Sequence, residues 1–242
     1  MSMKEFNALD GALLIDKTAG PTSHDIVDTV RQCYRIKKVG HCGTLDPAAT
    51  GLLTLLLGKA TKLSEKMMSD DKVYVGSMKL GETTNTFDAE GNIDETKPVP
   101  GLTLEALQEK ANDFLGDQLQ LPPMVSAIKI DGTPLYKLAR KGIEVERRKR
   151  FIHLYNFQIT EYEPPFAWFK VACTKGTYVR SLVHDLGQVL GCGAHLAGLR
   201  RTVSGKFKVS AATPLEELTT LSPDDLARCV VPMLQLSAAT ES

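Results

Sequence analysis

Asp46 is the carboxylate in this chain best placed for chemistry. It lies in Val39-Gly40-His41-Cys42-Gly43-Thr44-Leu45-Asp46-Pro47-Ala48-Ala49-Thr50-Gly51, where Gly40, Gly43 and Pro47 all oppose helix formation, so the stretch reads as a loop. Pro47 drives Asp46 out of the helical region of backbone space, and Gly43 lets the chain turn sharply or approach a ligand closely. The apolar runs on either side, Arg35 to Val39 and Leu52 to Leu57, read as buried strands that hold the loop rigidly. A single carboxylate on a stiff loop suits a nucleophile. An Asx-turn, in which Asp46 only bonds its own backbone neighbours, accounts for the same residues.

Other chemistries find little support. There is no GxGxxG after a strand, no GxxxxGK[ST], no CxxC pair and no HExxH, so no nucleotide, metal or organic cofactor is expected. Cys192 and His195 are spaced like ligands, but no second pair accompanies them and they read as structural. Thr44-Leu45-Asp46-Pro47 alone would allow an aspartyl-phosphate, yet the acidic metal site that chemistry needs beside the nucleophile is missing.

The surrounding blocks carry a resemblance. GHCGTLDPAATG, then LGKATKL, then DKVYVGSMKLGETTNTFDAEG are similar to the signature of the bacterial TruB family, the tRNA pseudouridine-55 synthases. Downstream, CTKGTYVRSLVHDLGQVLGCGAHLAGLRRTVSG and PPMVSAIKIDGTPLYKLARKGIEVERRKR resemble further segments of that family. The likeness spans roughly Gly11 to Gly205. One departure is Lys17-Thr18, where the family usually has Lys-Pro.

The resemblance implies that uridine in the T-loop of tRNA is flipped out and rebuilt as a C-glycoside, with no cofactor and with Asp46 as nucleophile. Arg180 matches the family's active-site arginine, whose guanidinium would keep the carboxylate ionised. Tyr74 matches the tyrosine that stacks on the target base, and Tyr178 and Leu199 match positions lining the uracil pocket. Without the resemblance, Tyr74 and Leu199 read as ordinary strand core. His41 matches the family histidine that enters the RNA loop during flipping. Lys129, Arg140, Arg147 and Arg148 would meet phosphate and set affinity. Two competing readings stay open, a non-enzymatic RNA chaperone or binding module and a related synthase acting on another RNA.

Positioning these groups takes mixed elements. Gly11 to Asp16 reads as a core strand. Thr22 or Ser23 caps a helix to about Tyr34, with Ile26, Val30, Cys33 and Tyr34 on one face. Ala60 to Met68 is a short helix, Val73 to Leu80 a strand, Thr83 to Val99 a surface loop and Leu102 to Leu115 an amphipathic helix. Pro134 to Lys141 is a short basic helix, and Phe151 to Tyr162 and Phe166 to Thr174 are strands about a Pro164-Pro165 turn. A helix starts at Gly176-Thr177 and runs to about Leu190, and Ala194 to Val203 is a last strand. The class is α+β (mixed α/β), and the resemblance implies the pseudouridine synthase fold: a large mixed, mainly antiparallel sheet flanked by helices. Residues 1–212 would form the catalytic domain, with a mobile basic thumb at about 122–150. Residues 213–242 would form a short helical tail, without the PUA domain most bacterial members carry.

Composition sets the outer bounds. The formal charge is zero, but 129–150 holds eight basic residues against three acidic, a local grip for phosphate rather than a generally basic protein. No apolar run approaches the ~20 residues of a membrane helix, and the N-terminus lacks a signal pattern. Five scattered cysteines suit a reducing compartment. A cytoplasmic monomer that binds the tRNA T-arm stem-loop, with no membrane or protein partner, is expected.

Overall fold

The computed structural model describes residues 9–237, so residues 1–8 of the stretch read for a signal and the last five of the expected tail lie outside the described residues. It divides into two compact units, one built from the chain up to residue 72 and from residue 200 on, the other from residues 73–199.

In the first unit, β1 (Gly11–Lys17) leads through a turn to α1 (Ser23–Tyr34). Thr22 and Asp25 close a capping box, each side chain accepting from the other's backbone N–H. α1 buries Ile26, Val27 and Val30, whereas Cys33 is exposed, contrary to the expected face. Arg35 terminates the helix in the left-handed region at φ 52°. The expected strand at Arg35 to Val39 is therefore a turn with Lys37 and Lys38 in solvent, and β2 (Val39–His41) begins only at its end. β3 (Thr50–Leu57) is buried almost throughout and pairs antiparallel with β1 along the whole of β1, from Gly11–Leu57 to Lys17–Gly51. β2 lies antiparallel on the other edge of β3. A 3-10 turn, Gly58–Leu63, runs into α2 (Ser64–Met68).

The second unit opens with β4 (Lys72–Leu80). The expected surface loop at 83–99 contains a hairpin, β5 (Glu82–Thr84) and β6 (Ile93–Thr96), because Thr83 and Thr84 are buried and pair across it. α3 (Leu104–Asn112) is shorter than expected and buries only Leu107 and Ala111. It is followed by β7 (Gly116–Gln120), a strand that the polar sequence Gly-Asp-Gln-Leu-Gln did not announce. The thumb segment holds β8 (Lys129–Ile130), β9 (Thr133–Pro134) and α4 (Leu135–Ala139). The long antiparallel pair β10 (Arg150–Glu163) and β11 (Phe166–Cys173) follows, then α5 (Val179–Val189) and β12 (Ala194–Ser204). In this unit the strand order is β12-β4-β11-β10-β7.

From residue 200 the chain again builds the first unit. Arg200 and Arg201 of β12 pair parallel with Thr50 and Gly51 of β3. β13 (Phe207–Lys208) turns back on β12, β14 (Thr213–Pro214) runs parallel to β1, and α6 (Leu215–Leu218) and α7 (Pro223–Cys229) precede β15 (Val230–Pro232). β15 pairs antiparallel with the start of β1 before α8 (Met233–Ser237). The expected helical tail is thus partly strand, because β1 leaves an edge that must be covered. Mixed, mainly antiparallel sheets with flanking helices agree with the expected fold class. Among the described residues, no helix is long and apolar enough to cross a membrane.

Candidate active site

The Asp46 loop is short, running from Cys42 to Ala49 between β2 and β3, and its backbone carbonyls and amides need partners. Three buried side chains supply them. Lys17, wholly buried at the end of β1, donates through Nζ to Ala49 O at 2.7 Å, Pro47 O at 2.8 Å and Thr18 O at 3.0 Å. Ser23, in the first turn of α1, makes a reciprocal pair with Leu45, its Oγ accepting from Leu45 N at 2.9 Å and donating to Leu45 O at 3.1 Å. Arg201 of β12 donates through Nε to Leu52 O at 2.7 Å and through Nη2 to Gly43 O at 3.2 Å. Backbone bonds from Gly20 N to Pro47 O, Ala49 N to Asp46 O and Cys42 N to Thr54 O complete the clamp. Asp46, half-buried, sits on a loop fastened on both sides of it.

His41 stands at the end of β2, on the approach to the same loop. Its Nδ1 is buried without a hydrogen-bond partner among the described residues. Burial first, then the positive Arg201 and then His24, push its pKa below the usual 6.5, so it presents a neutral, planar ring. The neighbouring Cys42 thiol is pushed up to about 12, mainly by burial, and is a packing group.

The remaining expected site residues belong to the second unit. Tyr74 is buried on β4, and Leu199 is half-buried on β12. Tyr178 is the N-cap of α5, which starts two residues later than expected. Its backbone is clasped by the buried amide of Gln120, which accepts from Tyr178 N at 2.8 Å and donates to Tyr178 O at 3.1 Å. Arg180, 3% exposed, reaches into the loop joining β5 and β6. It donates to Thr86 O at 3.0 Å and Val125 O at 2.8 Å, and its Nη1 lies 3.3 Å from Asp88 Oδ2. An acidic partner inside the same unit offsets much of the cost of burying that guanidinium.

The thumb cations differ among themselves. Lys129, Arg140 and Arg148 are exposed, with Arg140 over the Tyr136 ring at 5.5 Å. Arg147 is turned inward, its guanidinium donating to Pro122 O at 3.0 Å and Glu144 Oε1 at 3.2 Å, so it braces the thumb. A cavity of about 300 Å³ there is lined by Lys129, Arg147, Arg148 and Arg150 above Pro122 and Leu135.

Sequence reasoning missed Lys17, Ser23, Arg201, Gln120 and Asp88. The signal for Lys17 was present: a lysine ending an otherwise apolar strand needs acceptors, and the loop carbonyls needed donors.

The chain is similar to known proteins over most of its length. Residues 31–179 match the model of the TruB family pseudouridylate synthase N-terminal domain, and residues 180–236 that of the tRNA pseudouridylate synthase B C-terminal domain. The chain is 50% identical over 227 residues to tRNA pseudouridine synthase B of Opitutus terrae, covering 94% of each protein. It is 43% identical to the protein of that name from Haemophilus influenzae, covering 97% of this chain and 79% of that one. Among solved structures, a chain of a Cbf5-Nop10-Gar1 complex superposes with a TM-score of 0.73 at 30% identity, over 93% of this chain and 61% of that one. With a family model spanning more than half of its length and relatives this similar, the chain belongs to the TruB family of pseudouridylate synthases.

Proposed function

We propose that the protein isomerises uridine to pseudouridine in the T-loop of tRNA, in the cytoplasm and as a monomer. The C1′–N1 glycosidic bond breaks, the uracil turns, and C1′ bonds to C5 while the C5 proton is lost and N1 gains one. No atoms are gained or lost overall, so the side chains of the protein suffice. Asp46 is the nucleophile that assists departure of the base, as carboxylates do at oxocarbenium-like centres. The observation that carries this reading is the clamped loop. Lys17, Ser23 and Arg201 fix the backbone on both sides of Asp46, the preorganisation that a reacting carboxylate requires.

Tyr74 stacks on the flipped base, Leu199 packs beside it and Tyr178 with Arg180 supply the hydroxyl and positive charge for the carboxylate chemistry. His41, held neutral by burial, fills the gap the base leaves in the RNA stack. Lys129, Arg140 and Arg148 take phosphates of the T-arm stem, with Arg147 shaping the surface that presents them.

The test is release of tritium from C5-labelled uridine in a T-arm stem-loop, wild type against Asp46→Asn. Loss of release in a folded variant that still binds the RNA is the expected result. Undiminished release in Asp46→Asn would remove that residue from the chemistry. Wild-type binding without release would favour a chaperone.

A further inference from the structure

The loop joining β5 and β6 has a feature that the proposed chemistry does not use. Phe87 sits at φ 64°, a left-handed conformation that favours glycine and strains a bulky side chain. Its ring lies flat on the imidazole of His184, with centroids 3.9 Å apart and planes 20° from parallel. His184 is one turn beyond Arg180 on α5, so both side chains leave the same helix face. Arg180 grips the residues on either side of Phe87, through Thr86 O at 3.0 Å and the Asp88 carboxylate at 3.3 Å. Two successive turns of one helix therefore seize three successive loop residues. Backbone bonds lock the register: Leu196 N–H donates to Phe87 O and Ala89 N–H to Leu196 O.

The Nδ1 of His184 is buried without a hydrogen-bond partner among the described residues, and burial, opposed by the Asp94 carboxylate, lowers its pKa, so it serves as a neutral ring. A glycine would suit the backbone at 87 better. What a glycine lacks is the ring that α5 holds.

We propose that the Phe87–His184 ring pair is a positioning device for the reaction. By holding Phe87 in its strained conformation, it aims the Thr86 carbonyl and the Asp88 carboxylate at the guanidinium of Arg180 and fixes that group in one orientation. The inference rests on the assignment of Arg180 to the chemistry.

The experiment is tritium release from the T-arm stem-loop, in steady state and single turnover, with a thermal unfolding curve for each variant. His184→Ala is expected to lower kcat about tenfold with KM almost unchanged, the pattern of a misplaced transition-state group. His184→Phe keeps a ring that can stack and restores kcat. Phe87→Gly relieves the backbone while deleting the ring, so kcat falls while Tm does not. Because His184 acts through Arg180, adding His184→Ala to Arg180→Lys costs no further rate in single turnover. The proposal is overturned by a wild-type kcat in His184→Ala, by a loss that His184→Phe does not repair, or by a loss that persists in full in the Arg180→Lys background. A wild-type rate in Arg180→Lys alone would instead locate the failure in the assignment of Arg180, and would take the ring pair down with it.

Discussion

Replacing Lys17 by methionine keeps the volume of the side chain and deletes its three donors. Pro47 O would retain the Gly20 N–H at 3.0 Å, whereas the bonds from Nζ to Ala49 O at 2.7 Å and Thr18 O at 3.0 Å would be lost. A buried acceptor stranded in this way costs about 1–3 kcal/mol. Removing a wholly buried ammonium returns part of that through its desolvation. The net destabilisation should be about 2–4 kcal/mol, a fall of roughly 5–15 °C in Tm for a chain of this size. Catalysis should suffer more than stability, because Pro47 and Ala49, one and three residues beyond Asp46, both lose the ammonium that held their carbonyls, and a displacement of ~1 Å costs about a hundredfold in rate. Urea unfolding followed by circular dichroism gives the first quantity, and tritium release at a temperature where the variant is folded gives the second. A Lys17→Met protein with a wild-type midpoint and wild-type kcat would refute the idea that this amine holds the loop.

Glycine positions in the same region should separate strain from collision. Gly51→Ala would put a methyl 2.3 Å from Arg201 O at a φ of 96° and should destabilise by about 3 kcal/mol or more, while Gly43→Ala, with its nearest atom at 3.5 Å, should cost only about 1 kcal/mol for its left-handed backbone; urea midpoints compare the two. The depressed pKa of His41 means that the unfolded chain takes up a proton first as pH falls below 6.5, so stability drops from there down to the folded pKa and gains nothing above it. The fall in urea midpoint between about pH 7.5 and 5.5 should accordingly be smaller in His41→Gln than in wild type, with His184 supplying part of what remains. Cys33 is exposed and should react with a thiol reagent in the native protein, whereas Cys42, buried with its pKa near 12, should react only after unfolding; rapid native labelling of Cys42 by mass spectrometry would contradict its placement.

How much of this was legible beforehand depended on the range of the interaction. The loop at Asp46 and the cap at Thr22 were readable because glycine, proline and a capping box act over a few residues. The buried run Leu52 to Leu57 was readable because its apolar character is continuous. β7 was not, since Gly-Asp-Gln-Leu-Gln owes its strand state to pairing with Arg150–Leu154, thirty or more positions on. The turn at Arg35 to Lys38 was misread because two apolar residues suggested a strand, while the left-handed end of α1 decided the geometry. Asp46, His41, Tyr178 and Arg180 could be named from their motif, but the groups that hold them could not. Arg201 meets Gly43 across 158 positions and Gln120 meets Tyr178 across 58, and no local pattern marks either pair.

The clamp around Asp46 also bears on when activity can arise during synthesis. Lys17 and Ser23 leave the ribosome before the loop does, but Arg201 follows Gly43 by most of the chain. The strands that cover β1, at Thr213–Pro214 and Val230–Pro232, emerge later still. A nascent chain that has folded its middle segment thus still lacks the third fastening of the Asp46 loop, and closing so long a loop comes late and at an entropic cost. Competence for catalysis should therefore switch on only once Arg201 and the strands that cover β1 have emerged, as one event, rather than grow with chain length.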